Sequence, residues 1–221
     1  MAQLLVLRPE SGASATLARA RELGLEAVAV PLFTIHPVEW EAPEAGGFDG
    51  LLLTSANAVR CAGGQLQALR GLKAFTVGEA TAAAARDAGF DIAATGNADV
   101  DRLLDSVEPD LRLLHLCGAE RREPRHARQA ITPVVVYRSS EIEQPGLAAA
   151  AGSVALVHSP RAGRRLARLV GERGKVAIAA ISQAAAEALG EGWKSLDVAD
   201  RPSDDALLAL AARLCNNPSP K

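Results

Sequence analysis

Three segments of this chain recur at one fixed distance, and that register governs what the chain can fold into. Leu51-Leu52-Leu53-Thr54-Ser55-Ala56-Asn57-Ala58 returns as Ala155-Leu156-Val157-His158-Ser159-Pro160-Arg161-Ala162. Val77-Gly78-Glu79-Ala80-Thr81-Ala82 returns as Ile181-Ser182-Gln183-Ala184-Ala185-Ala186, and Leu103-Leu104 as Leu207-Leu208. Ser55 thus answers to Ser159, Gly78 to Ser182 and Leu103 to Leu207, 104 positions apart each time. One such match is weak in a chain rich in Ala and Leu, but three in one register mean two copies of one folding unit.

Each copy alternates short apolar runs with Ala- and Leu-rich helical patterns. Residues 4–7, 27–31, 50–53, 74–77, 113–116, 154–157 and 177–181 read as buried strands, and 16–23, 80–88, 101–106, 163–170, 183–189 and 204–214 as helices. Runs apolar on both faces and separated by helices belong to parallel sheets covered on both sides. Two proline-bearing extended stretches, 32–38 and 133–140, break this rhythm because neither leads into a helix. The expected architecture is α/β: two similar parallel-sheet (Rossmann-like) lobes joined by a two-stranded β ladder. One lobe is assembled from 1–31 and 141–221, the other is continuous over 41–130, and 32–40 and 131–140 are the linker strands. Ligands in such folds sit at the carboxyl ends of the strands, here facing the cleft between lobes.

Composition narrows the function. With 24 Lys and Arg against 26 Asp and Glu the net charge is −2, and aromatic residues make up 3%. Neither a basic field nor stacking aromatics are available for nucleic acid, so no nucleic-acid partner is expected. Cys61, Cys117 and Cys215 are widely spaced and odd in number, which argues for reduced thiols and a cytoplasmic location. His36, His115, His126 and His158 show no metal-ligand spacing, so no metal is expected. No apolar run is long enough to span a membrane and the opening run is too short for a signal peptide, so a soluble protein is expected, with its tail 216–221 frayed; a monomer is a separate expectation that no sequence feature fixes.

An anionic ligand would have to be held locally. Ser55 and Ser159 follow strands and precede helices, and Pro160 suits a first helical position. Free amides at a helix start, with a hydroxyl beside them, form a carboxylate or phosphate pocket. Gly78 and Thr81 mark another strand–helix junction, as do Arg8-Pro9-Glu10-Ser11-Gly12 and Cys117-Gly118-Ala119. Each alone is explained by ordinary capping; their repetition around one cleft favours anion binding. Arg161, Arg164, Arg165 and Arg168 form one basic helix face and Arg121, Arg122, Arg125 and Arg128 a second cluster, either solvated faces or ligand contacts. Arg161, one residue past its helix start, is the best placed to reach a ligand. His158 precedes Ser159 on a strand, so the two side chains diverge, which argues against a catalytic pair; His158 reads as a packed or capping residue. Tyr137, the only tyrosine, falls on the second linker strand and is either a packing residue or a proton donor. No G-x-G-x-x-G, G-K-[ST] or G-x-S-x-G motif is present.

Leu7-Arg8-Pro9, Leu53-Thr54-Ser55-Ala56-Asn57-Ala58-Val59, Val77-Gly78-Glu79-Ala80-Thr81-Ala82, Val136-Tyr137-Arg138 and Val157-His158-Ser159-Pro160-Arg161-Ala162 resemble, in order and spacing, the uroporphyrinogen-III synthases. The resemblance implies a bilobal fold and a linear tetrapyrrole substrate, hydroxymethylbilane. It implies loss of water, inversion of the terminal D ring through a spiro intermediate, and closure to uroporphyrinogen III without a cofactor. The pyrrole nitrogens expel the hydroxyl, so the protein mostly positions the chain and assists departure. By the same resemblance Tyr137 is the proton donor. Arg8, Ser55, Ala56, Asn57, Gly78, Thr81, Gly118, Ser159, Arg161, Ser182 and Gln183 are the expected substrate-binding positions. A transient contact with hydroxymethylbilane synthase is the expected protein partnership, and no membrane takes part. One departure stands out: Ala185 occupies a position where many members carry threonine, which takes a hydroxyl from the cleft unless Ser182 or Gln183 compensates. A different class of protein, a non-catalytic two-lobed binder of a small polyanion, would share the fold and use Tyr137 only for packing. A sugar-phosphate or nucleotide enzyme is disfavoured by the missing glycine fingerprint.

Overall fold

The computed structural model describes residues 2–10, 12–96 and 99–216; Met1, Ser11 and most of the tail read above as frayed lie outside them. Two units divide the chain: a terminal unit of Met1–Thr34 with Glu141–Lys221, and a central unit of Ile35–Ser140.

The terminal unit holds a parallel sheet of β1 (Leu4–Val6), β2 (Ala27–Ala29), β9 (Val154–Val157), β10 (Ala177–Ala180) and β11 (Ser195–Val198), in the order β2-β1-β9-β10-β11. Alternation along the strands divides their side chains between two layers. Leu5, Val157, Ile178 and Ala180 pack with Leu166 of α5 (Pro160–Leu169) and Ala185 and Ala186 of α6 (Gln183–Glu187). Leu4, Val6, Leu156 and Ala179 pack with Ala13 and Ala20 of α1 (Gly12–Glu22) and Leu207, Leu208 and Ala211 of α7 (Asp204–Asn216).

The central unit repeats the plan with β4 (Gly50–Leu53), β5 (Ala74–Val77), β6 (Ile92–Gly96), β7 (Arg112–Gly118) and β8 (Ala130–Glu141), in the order β8-β7-β4-β5-β6. Leu51, Leu53, Leu114 and Leu116 face α2 (Ala56–Cys61) and α3 (Glu79–Asp87), while Leu52 and Leu113 face α4 (Val100–Asp105). β4, α2, β5, α3, β6 and α4 reappear as β9, α5, β10, α6, β11 and α7, each starting within one residue of the offset of the sequence repeat. The two remaining strands precede this run in the terminal unit, as β1 and β2 with α1 between them, and follow it in the central unit, as β7 and β8 with no helix between them.

The extended linker stretches are longer and more integrated than isolated ties. β3 (Phe33–Pro37) hydrogen-bonds to β8, with Val38 N–H donating to Val136 O and Ile142 N–H to Leu32 O, both at 3.0 Å. Partners move in opposite directions along the two strands, so this ladder is antiparallel. β8 also pairs in parallel with β7, which makes the ladder continuous with the central sheet.

Local chemistry sets the helix starts. Ser55, Asp99, Ser159 and Ser182 each accept a hydrogen bond from an amide of the first helical turn, and Pro160 opens α5 where no amide partner is needed. Each such cap contributes about 1 kcal/mol. Among the described residues no helix is long and apolar enough to cross a membrane.

Candidate active site

At the carboxyl edge of the central sheet, the chain's single tyrosine stands at the end of a parallel strand pair. Up to Cys117 and Val135 the pairing of β7 with β8 is regular; one residue later Gly118 lies opposite Tyr137, and Val136 is passed over. The Tyr137 ring rests on Gly118, where a Cβ would stand 2.7 Å from Cζ and 3.0 Å from the phenol oxygen. Burial pushes the phenol above its ordinary range; a hydrogen bond with Ser55 pulls it back, and Cys117, Cys61 and Glu120 push it further up. Tyr137 is therefore a neutral, proton-bearing group at physiological pH.

Ser55 is held by its own helix start, since its Oγ accepts from Asn57 N–H at 3.2 Å. Ala56 and Asn57, the first two residues of α2, are half-buried beside it. Next to Ser55, Thr54 Oγ1 meets His115 Nε2 at 3.1 Å. His115 is 1% exposed, and burial, helped by the charge of Arg121, lowers its imidazole to about 4. It is a neutral hydrogen-bonding partner, a role that a polar residue inside Leu113-Leu114-His115-Leu116 could have signalled.

Three expected binding positions of this unit are engaged internally. Gly78 has φ +82°, as its turn requires, but its N–H donates to Gly96 O at 2.7 Å and is spent within the sheet. Thr81 is 5% exposed, packed into α3, which leaves little of it open to a ligand. Gly118 is covered by the tyrosine ring.

At the carboxyl edge of the terminal sheet the sequence reading needs a larger correction. Arg8, expected to grip a ligand, gives its Nη1 to both carboxylate oxygens of Asp204 at 3.0 Å. Thr16 Oγ1 donates to the same carboxylate at 2.8 Å, and His158 Nε2 meets it at 3.1 Å. Burial alone would raise the Asp204 carboxyl, but the His158 hydrogen bond and charge, with Arg8 and Thr16, lower it to about 2. Gly12 leaves room for this arrangement, because a Cβ there would come within 2.4 Å of Arg8 Nε. Arg8 and Asp204 are 196 positions apart, so no local pattern could announce the pair. His158, just past the end of β9, is largely buried and committed to Asp204.

Ser159 caps α5, accepting from Ala162 N–H at 3.2 Å, and Arg161 in the first turn lies 4.3 Å over the Phe33 ring. Ser182 caps α6, and Gln183 donates to Glu187 at 3.3 Å. Ala185, read as the place of a hydroxyl missing from the cleft, is 0% exposed and packed in the core; Gly163 of α5 comes so near that a Cβ there would stand 2.9 Å from the Ala185 carbonyl oxygen. The correction is steric: helix packing, not an open edge, governs that position. The two arginine clusters are largely occupied by neighbours. Arg165 and Arg168 hold Glu141, Arg165 also donates to Ile142 O at 2.8 Å, Arg122 pairs with Asp101 at 3.0 Å and Arg121 with Glu123 at 3.1 Å. Among the described residues no group of three or more His, Cys, Asp or Glu side chains could hold a metal ion.

Two parallel-sheet units of one plan, with helix starts and hydroxyls at each carboxyl edge, define a class of duplicated α/β proteins. Within that class the chain belongs to the uroporphyrinogen-III synthase family: the family model of uroporphyrinogen-III synthase HemD matches residues 14–209. Solved structures agree on the fold. A uroporphyrinogen-III synthetase of Helicobacter pylori is 18% identical, with a TM-score of 0.67 over 97% of this chain and 100% of that one. A mutant uroporphyrinogen III synthase of Thermus thermophilus is 17% identical, with a TM-score of 0.56 over 99% of this chain and 100% of that one. No curated protein sequence matches the chain. Membership makes the chain a lyase of porphyrin biosynthesis that acts on a small molecule.

Proposed function

We propose that the chain acts as a cyclising hydro-lyase on hydroxymethylbilane, with Tyr137 as the group that protonates the departing hydroxyl. The observation that carries this reading is the phenol itself: half-buried, hydrogen-bonded to Ser55 and held above its ordinary range, so that its proton is present when needed. In the first step a pyrrole nitrogen lone pair pushes into the ring and the carbon–oxygen bond to the terminal hydroxymethyl breaks. Its electron pair leaves on oxygen, which takes the Tyr137 proton and departs as water. The phenolate left behind recovers a proton when the closed macrocycle loses one to regain its aromatic pyrroles. Inversion of the D ring before closure asks the protein for positioning more than for further acid or base chemistry.

The carboxylate arms of the substrate need partners. Ser159 and Arg161, at the start of the ten-residue α5, offer a hydroxyl, a helix N-terminus and a guanidinium to one of them. Ser55 bonds the phenol, Asn57 follows it in the first turn of α2, and Ser182 and Gln183 stand at the start of α6. Arg8 fits a different part: its commitment to Asp204 makes it a brace for β1, α1 and α7. We place the reaction in the cytoplasm, with the labile substrate received through a transient contact with hydroxymethylbilane synthase.

The test is to supply porphobilinogen to hydroxymethylbilane synthase with and without this protein and to resolve the uroporphyrinogen isomers. A product dominated by type III supports the reading. Type I alone, the product of spontaneous closure, would leave the chain as a binder and end it.

A further inference from the structure

We propose that Gly118 is a positioning residue for Tyr137: the side chain it lacks is the space in which the phenol stands. This rests on the assignment of Tyr137 as proton donor, and it replaces the expectation that Gly118 meets the substrate. A Cβ at Gly118 would lie 2.7 Å from Tyr137 Cζ, 2.8 Å from Cε2 and 3.0 Å from the phenol oxygen. All three conflicts fall on the reactive end of the ring and none on backbone. Gly118 is not among the glycines of positive φ, so its backbone does not ask for glycine. The reason for glycine at this position is the neighbouring ring.

The strand register points the same way. In regular pairing Gly118 would face Val136, and Tyr137 would fall opposite Ala119. The shift after Cys117 instead brings Tyr137 level with Gly118, and Ala119 N–H closes the irregularity by donating to Tyr137 O at 2.9 Å. Paired residues of parallel strands project to the same face, so the bulge delivers the tyrosine to the face that glycine leaves vacant. Val136, the residue passed over, is 0% exposed and anchors the bulge in the core.

With alanine at this position the ring must retreat by about 0.7 Å to restore ordinary contact. A misplacement of about 1 Å at a reacting group costs on the order of 100-fold in rate, so Gly118→Ala should lower kcat by about 10- to 100-fold. Tyr137 is the only tyrosine, so ultraviolet titration of phenolate reports its place alone. In the parent protein the phenolate should form above the ordinary tyrosine range, and in Gly118→Ala its midpoint should move down toward that range as burial is relieved. Where the ring is absent, Gly118→Ala should be silent: adding it to Tyr137→Ala should leave residual turnover within about two-fold and folding unchanged. If the single variant does not fold, the double variant should, since the conflict has been removed. An unchanged phenolate titration, an equal loss of turnover with and without the ring, or a double variant no better folded than the single one would each overturn the proposal. Tyr137→Phe separates the underlying reading. Parent kcat in that variant would retire the proton donor, while the titration would still judge where Gly118 puts the ring.

Discussion

Replacing Asp204 with asparagine keeps the side chain's shape and removes the charge on which Arg8, Thr16 and His158 converge. The folded-state carboxyl lies at about 2 against an ordinary 3.8. At about 1.4 kcal/mol per pH unit this difference corresponds to about 2–3 kcal/mol of stability at neutral pH. The Asp204 side chain is 24% exposed and its Arg8 partner 32%, and solvent screening lowers the figure to about 1–2 kcal/mol. Because the folded value lies below the unfolded one, this contribution is complete above 3.8 and is lost as pH falls through about 2. Urea unfolding should be followed by tryptophan fluorescence. Trp193 packs on the terminal core and Trp40 on the central one, so a Trp40→Phe background reads the terminal unit alone. Asp204→Asn should destabilise that unit by about 1–2 kcal/mol at neutral pH, and the gap should close as pH approaches 2. A gap that is absent at neutral pH, or that persists unchanged into acid, would refute the network's electrostatic role.

Two further substitutions test other parts of the structure. Gln129 is buried and its Nε2 donates to the carbonyls of Leu104, Val107 and Glu108 at 3.1, 3.0 and 2.9 Å, closing the end of α4; Gln129→Leu should cost about 1–3 kcal/mol in urea unfolding read by Trp40, and parent stability would show that water serves those carbonyls as well. Ala185→Thr adds the hydroxyl that the family resemblance leads one to expect, but inserts it at a fully buried helix contact. It should lower the melting temperature, at about 1–3 kcal/mol, without raising kcat, whereas a gain in turnover at parent stability would place that position in reach of substrate.

Much of the fold is readable because its strands are short and buried on both faces. Leu51-Leu52-Leu53 and Val154-Ala155-Leu156-Val157 have no polar side to present, and a serine before each following helix marks where the strand ends. β6 and β11 are harder to read. In Ile92-Ala93-Ala94-Thr95-Gly96 the strand formers Ile92 and Thr95 are separated by two alanines and followed by glycine, and Ser195-Leu196-Asp197-Val198 interleaves polar with apolar residues instead of forming an apolar run. α2 is six residues long and escapes periodicity altogether. Among the candidate site residues, the capping serines follow from local rules, since each hydroxyl meets an amide two or three positions on. Arg8 does not, because its partner is decided only when α7 docks beside β1. Thr81 and Ala185 occupy equivalent places in the repeat, and their burial depends on how closely paired helices approach, which residue type alone does not encode. The meeting of Gly118 with Tyr137 depends on a one-residue slip between strands that no pattern in Val134-Val135-Val136-Tyr137 announces.

Single-turnover mixing of hydroxymethylbilane with excess protein, comparing the parent with Tyr137→Phe, bears most directly on the proton assigned to the phenol. Loss of one general acid lowers the chemical step by about 10²- to 10⁴-fold. Tyr137→Phe should therefore bind substrate as the parent does and release water, and form type III product, slower by that factor. Parent-like single-turnover rates in the phenylalanine variant, with type III still the product, would contradict the account.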